Sequence, residues 1–165
     1  MKTLLIVYHS NTGGTQQMAE AAAAGAREAT ENAVDVRLLH ASQAGPGDVL
    51  AADGYLFATP ENLAAVSGLM KDFFDRSYYP VLDRINGRPY GVLVCAGSDG
   101  SNATRQIERI AKGWRLKPVA ASLIVCTHAQ TPEQILALKT INAADLEACS
   151  DLGAAIAVGL EAGIF

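Results

Sequence analysis

Thr3-Leu4-Leu5-Ile6-Val7-Tyr8 leads through His9 into Ser10-Asn11-Thr12-Gly13-Gly14-Thr15, and an alanine-rich stretch then runs to Thr30. The first six residues form a continuous apolar run, the pattern of a strand covered on both faces as in a parallel sheet. The spacing after the turn predicts a helix from about Gly14 to Thr30. Its stripe of Met18, Ala22, Gly25 and Ala26 is made of small residues, so the helix can lie close to the sheet. Backbone N–H groups at a helix start have no partner and carry partial positive charge, which suits a phosphate. The loop adds hydroxyls at Ser10, Thr12 and Thr15 and two glycines that let the backbone close around oxygens. Residues 10 to 26 contain no Lys or Arg. The expectation is a phosphate held by neutral donors and the helix dipole, with no cation nearby. The G-x-x-x-x-G-K-[ST] loop of nucleoside triphosphate enzymes and the strict G-x-G-x-x-G spacing are both absent.

The same alternation continues along the chain. Ala33 to Leu39 reads as a second strand, and Pro46-Gly47-Asp48 opens a short helical connection. Gly54 to Thr59 is the third strand. Leu69, Met70, Phe73 and Phe74 then fall on one helical face, with Lys71, Asp72, Asp75 and Arg76 on the other. Tyr90 to Ala96 is the fourth strand, followed by Ile107, Ile110, Ala111 and Trp114 at helical spacing. Val119 to Thr127 is the fifth strand. Thr131-Pro132-Glu133-Gln134 has the form of a capping box with proline at the first helical position. A last helix runs from about Ala143 to Ala162, with Leu146, Cys149, Leu152, Ile156 and Leu160 inward. Strands alternating with helices give an α/β three-layer sandwich, a five-stranded parallel sheet in the order 2-1-3-4-5, as one domain over residues 1–165.

Composition narrows the function. The chain has 165 residues, half of them hydrophobic, and a net charge of -4 from 13 basic and 17 acidic residues. No basic stripe is present to neutralise nucleic-acid phosphates or an anionic membrane. Cys95, Cys126 and Cys149 are odd in number, with no C-x-x-C pair, and read as packing residues in a reducing compartment. No Cys/His cluster has metal-ligand spacing, and no apolar run reaches membrane-spanning length. The expectation is a soluble, cytoplasmic protein.

In open α/β sheets, ligands bind beyond the carboxyl ends of strands, near the switch in strand order. Three such ends carry polar or glycine-rich loops: residues 10–15, then Thr59-Pro60-Glu61-Asn62-Leu63-Ala64-Ala65-Val66-Ser67-Gly68, then Ala96-Gly97-Ser98-Asp99-Gly100-Ser101-Asn102. They follow neighbouring strands, so they converge on one site.

These residues resemble the flavodoxin family. Ser10-x-Thr12-Gly13-x-Thr15 matches every fixed position of that family's phosphate loop, [ST]-x-T-G-x-T. The second loop and the helix residues Leu69 to Arg76 are similar to the T-P-x-x-x-x-x-x-S-G and -x-x-K-x-F-x-D-R segments of NAD(P)H-dependent FMN reductases and quinone reductases. The resemblance implies FMN as cofactor, with its phosphate at Ser10, Asn11, Thr12, Gly13, Gly14 and Thr15. It places the isoalloxazine between Pro60, Glu61, Asn62 and Leu63 on one side and Ala96, Gly97, Ser98 and Gly100 on the other. Electron-carrier flavodoxins usually flank the ring with Trp and Tyr and are far more acidic. Neither ring-facing loop here holds an aromatic residue, which leaves room for nicotinamide or a quinone to stack. The expected activity is transfer of reducing equivalents from NAD(P)H to a quinone or other small acceptor. The alternative is a flavodoxin-type electron carrier or non-catalytic flavin binder. No side chain is required as a catalytic acid or base, since hydride transfer is the cofactor's own chemistry. Relatives often form homo-oligomers.

Other residues carry weaker signals. Glu61 is suited either to the ring N–H or to solvent. His9 reads as a solvent-facing strand end or a phosphate contact, and His40 as a strand end on the sheet side away from the site. Arg105 and Arg109 share a helical face, either solvated or attracting the phosphates of NAD(P)H. Ala96-Gly97-Ser98-Asp99-Gly100 also resembles a nucleophile elbow, with Ser98 as nucleophile and His128 as the downstream histidine.

Overall fold

Strand β1 (Lys2–Tyr8) lies in the middle of the sheet, with Leu4, Leu5, Ile6 and Val7 fully buried, because both faces of the sheet are covered by helices. The computed structural model describes all 165 residues, Met1 to Phe165. After α1 (Gly14–Ala29) the chain returns as β2 (Val34–His40) parallel to β1, and α2 (Pro46–Ala51) leads to β3 (Gly54–Asn62) on its other side. A two-residue strand β4 (Ala65–Val66) folds back on β3, α3 (Gly68–Val81) follows, and β5 (Pro89–Ala96) pairs parallel with β3. Helix α4 (Ser101–Gly113) connects to β6 (Lys117–Pro118) and β7 (Leu123–Cys126), both alongside β5. The short α5 (Pro132–Leu136) and the long α6 (Ala143–Glu161) close the chain. The main sheet therefore runs β2-β1-β3-β5-(β6, β7), the expected 2-1-3-4-5 order with its last position in two pieces.

Two expectations for the strands need correction. The fifth strand is not continuous from Val119 to Thr127: the Val119 amide still donates to the Tyr90 carbonyl at 3.2 Å, and residues 120–122 then leave the ladder between β6 and β7. Pro118 costs no ladder bond, because the amides of Lys117 and Val119 on either side donate to Arg88 and Tyr90 and position 118 turns its missing N–H to the open edge of the sheet. The third strand does not stop at Thr59. It continues through Pro60 to Asn62, then turns at Leu63 and Ala64 into β4. Pro60 is accommodated because β1 has already ended opposite Ala58, leaving one side of β3 without a ladder.

Helices α2, α3 and α4 cover one face of the sheet over an aromatic core of Tyr55, Phe57, Phe73, Phe74, Tyr90 and Trp114. Helices α1 and α6 cover the other face over smaller residues, among them Ala19, Ala22, Ala23, Cys149 and Ala157. These two helices touch backbone to backbone: a Cβ on Gly25 would overlap the Ser150 carbonyl, and one on Gly153 the Ala22 carbonyl. Leu69, expected inward on α3, is largely exposed, while Met70, Phe73 and Phe74 are buried as the spacing requires. No helix is long and apolar enough to cross a membrane.

Candidate functional site

Helix α1 starts without a side-chain cap. Its N-cap is Gly13, at φ 90°, a left-handed conformation that glycine adopts without steric cost. The Gly13 amide donates to Ser10 Oγ at 3.1 Å, which braces the loop internally. The amides of Gly14, Thr15 and Gln16 have no hydrogen-bond partner, as the open first turn of a helix requires, and those of Asn11 and Thr12 in the loop before it are free as well. Thr15 is almost fully buried, and its hydroxyl has no partner either. Buried polar groups are nearly always paired, so a donor set left open in this way points to a ligand. Gly14 is needed for close approach, since a Cβ there would sit 2.8 Å from Cys95 Sγ. Burial pushes the Cys95 thiol up to about 11, so it is an inert floor to the loop.

These groups open into a cavity of about 430 Å³ at the carboxyl end of the sheet. Of the expected site residues, Ser10, Asn11, Thr12, Gly14, Thr15, Pro60, Glu61, Asn62, Leu63, Ala96, Gly97 and Ser98 line it together. Gly13 and Gly100 do not line it; each is instead the left-handed N-cap of a helix, α1 and α4 respectively. The amides of Gly97, Ser98 and Asp99 have no partner. No aromatic side chain lines the cavity; its apolar wall is Pro60, Leu63, Ala64, Ala96, Ala129, Ile135 and Leu136.

The second loop is a β-hairpin rather than an irregular loop. Leu63 and Ala64 both adopt positive φ, 50° and 61°, the backbone of a two-residue turn that matches strand twist. Such turns ordinarily carry Asn or Gly, and their absence hid the hairpin in the sequence. Leu63 at the tip is fully exposed. Glu61 is not a free, solvated loop charge. Its Oε1 accepts from the Gly100 amide at 2.9 Å and its Oε2 from the Ala103 amide at 3.1 Å, so it caps α4 and fastens the hairpin to the third loop. Asn102 Nδ2 adds a second tie, to the Ala64 carbonyl at 2.5 Å.

His9 is also corrected: it is buried, and neither faces solvent nor lines the cavity. Its Nδ1 shares a 2.7 Å hydrogen bond with Ser67 Oγ, and Ser67 in turn bonds to Thr59 Oγ1. Burial, and then the His40 ring packed edge-on at 5.6 Å, hold its pKa below the ordinary 6.5. Arg105 bonds to Asn102, and Arg109 lines a separate groove with Lys71 and Gln106; neither reaches the main cavity. The elbow residues do not assemble a triad. Ser98 and His128 share no side-chain hydrogen bond, and Asp99 is taken up by Ser101.

A fourth wall was missed. Thr127, Ala129, Ile135, Leu136 and Lys139 line the cavity. The strand order offered a signal, because the loop after the fifth strand opens on the same edge as the loop after the fourth. Lys139 overturns the expectation of a site without a cation: its Nζ is 3.4 Å from Thr12 Oγ1, and it is the one basic residue in the lining.

A sequence-family model described as Flavodoxin matches residues 6–138. The chain belongs to the flavodoxin family. Members of this family bind FMN. A protein named Flavodoxin from Aquifex aeolicus (strain VF5) is 43% identical over 59% of this chain and 50% of its own length. An NAD(P)H dehydrogenase (quinone) from Acidithiobacillus ferrooxidans is 36% identical over 47% of this chain and 48% of its own. The chain thus matches about half the length of each of these relatives. Among solved structures, a flavodoxin from the domain Archaea superposes with a TM-score of 0.78 at 20% identity, covering 96% of this chain and 99% of that one. A WrbA-like flavodoxin from Agrobacterium tumefaciens gives 0.77 at 22% identity, covering 98% of each. These last two likenesses speak to the flavodoxin fold.

Proposed function

We propose that this flavodoxin holds one FMN in the 430 Å³ cavity and passes reducing equivalents from NAD(P)H to a quinone or another small acceptor. The observation that carries the reading is the open donor set at the start of α1: five amides without partners and the orphaned, buried Thr15 hydroxyl. A ribityl phosphate supplies the acceptors they lack, and the helix dipole favours its charge. Pro60 to Leu63 and Ala96 to Ser98 would flank the ring, with the free amides of Gly97, Ser98 and Asp99 as donors to its polar atoms. FMN, when bound, supplies hydride acceptance and electron release. The chain's own contribution is to orient the ring and leave one face accessible. The aliphatic lining supports a reductase, because no aromatic side chain occupies the space where a nicotinamide or quinone would stack.

The electron-carrier reading draws support from the relative named Flavodoxin. One experiment separates the two. Purified protein is mixed with FMN, freed of excess by gel filtration, and its visible spectrum recorded under nitrogen before and after NADH or NADPH, then after benzoquinone. Bleaching by a nicotinamide and recovery with quinone is the expected result. Retained flavin that only dithionite bleaches would favour the carrier, and no retained flavin would end both readings.

A further inference from the structure

We infer that Lys139 is the counter-cation of the ligand phosphate, delivered to the loop of residues 10–15 by the segment that follows the fifth strand position; the inference rests on the FMN reading above. Lys139 lies in the stretch between α5 and α6, and that stretch is bound to the phosphate loop on both sides of it. The Lys139 amide donates to the Thr12 carbonyl at 2.8 Å. Gln17, on the first turn of α1, donates from Nε2 to the carbonyls of Lys139 (2.8 Å) and Gly13 (2.9 Å), and accepts from the Ile141 amide at 3.0 Å. One side chain therefore fixes residues 139 and 141 against the helix start.

The ammonium group has more acceptors than hydrogens. Nζ is 2.8 Å from the Gln134 carbonyl, 2.9 Å from Ile135, 2.6 Å from Ala137 and 3.4 Å from Thr12 Oγ1. An ammonium has three hydrogens to give. The long Thr12 contact is the weakest of the four, so exchanging it for a phosphate oxygen forfeits little. The Thr12 amide beside it is free, and the one carboxylate in the lining, Glu61, is engaged by the Gly100 and Ala103 amides and makes no ion pair with Lys139. Lys139 is thus a lone positive charge facing open amide donors. The competing role is purely structural, with Lys139 capping the carbonyl end of α5.

The two roles differ in their response to the phosphate. Affinities of FMN and of riboflavin, which lacks the phosphate, are measured by calorimetry for wild type, Lys139→Gln and Lys139→Arg. The expected result is a loss of about tenfold or more in FMN affinity for Lys139→Gln, the size of one charge-assisted contact, with riboflavin unchanged and Lys139→Arg retaining most FMN affinity. Raising salt should also weaken FMN binding more in wild type than in Lys139→Gln, because screening acts on the charge. Equal losses for FMN and riboflavin, or FMN affinity within twofold of wild type, would overturn the inference while leaving the FMN reading intact. If Lys139→Gln fails to fold, the wild-type salt series decides: FMN and riboflavin responding alike overturns it. A wild type that binds neither compound overturns both readings.

Discussion

Glu61 Oε1 accepts a hydrogen bond from the Gly100 amide at 2.9 Å, and through this bond the hairpin that borders the cavity is anchored to the start of α4. The other carboxylate oxygen takes the Ala103 amide. Truncation by Glu61→Ala leaves two amides at a helix start without partners and should cost about 2–3 kcal/mol of folding stability. Glu61→Gln keeps one acceptor oxygen and should lose about half as much. Urea denaturation of the three proteins checks the order.

Thr15→Val should move stability and binding in opposite directions. The Thr15 hydroxyl is buried without a partner, so replacing it by a methyl of similar shape removes a desolvation penalty and leaves the ligand-free fold as stable or more stable. The same change removes one donor to the phosphate and should weaken FMN binding by about 1.5–3 kcal/mol. Thr12→Ala should weaken binding on the same scale. Thermal melts and calorimetry on the same preparations report both signs.

Gly14→Ala tests the contact beneath the loop. The added methyl would meet Cys95 Sγ at 2.8 Å, an overpacking defect of about 1–3 kcal/mol that also shifts the amides out of line. Cys95→Ala removes the obstructing sulfur. The double variant should therefore recover much of the stability and FMN affinity lost in Gly14→Ala, a coupling that a double-mutant cycle measures.

His9 predicts a pH dependence with a definite sign. Burial, followed by His40, lowers its pKa in the folded state below 6.5. As pH falls through 6.5 the unfolded chain takes up a proton at His9 and the folded chain does not, so stability declines from there down to the folded pKa and is full above pH 6.5. Denaturation midpoints between pH 5 and 8 should rise with pH in wild type and flatten in His9→Gln.

The order of strands and the position of the phosphate loop were legible because they depend on local patterns: a buried apolar run, a polar turn, a small-residue helix stripe. What escaped was set by contacts between distant segments. Lys139 meets Thr12 across 127 positions, and no spacing rule relates them. Glu61 finds its amides about 40 positions ahead, at a helix start whose own sequence, Gly100-Ser101-Asn102, gives no sign of needing a carboxylate. His9 is polar at a strand end, and the partners that enclose it, the Ser67 hydroxyl and the His40 ring, are distant in sequence. The hairpin was hidden by local chemistry of the opposite kind: Leu63 and Ala64 hold a turn backbone that sequence rules assign to other residues.

The single tryptophan, Trp114, is fully buried in the aromatic core, stacked on Tyr78 with ring centroids 5.8 Å apart and bonded through Nε1 to the Tyr78 carbonyl. That core lies across the sheet from α1. The protein therefore carries an optical probe segregated from the chemistry at its other end. Indole emission should register loss of packing on the α3–α4 side, and because an oxidised flavin absorbs where indole emits, the same signal should fall by energy transfer when the cavity is filled.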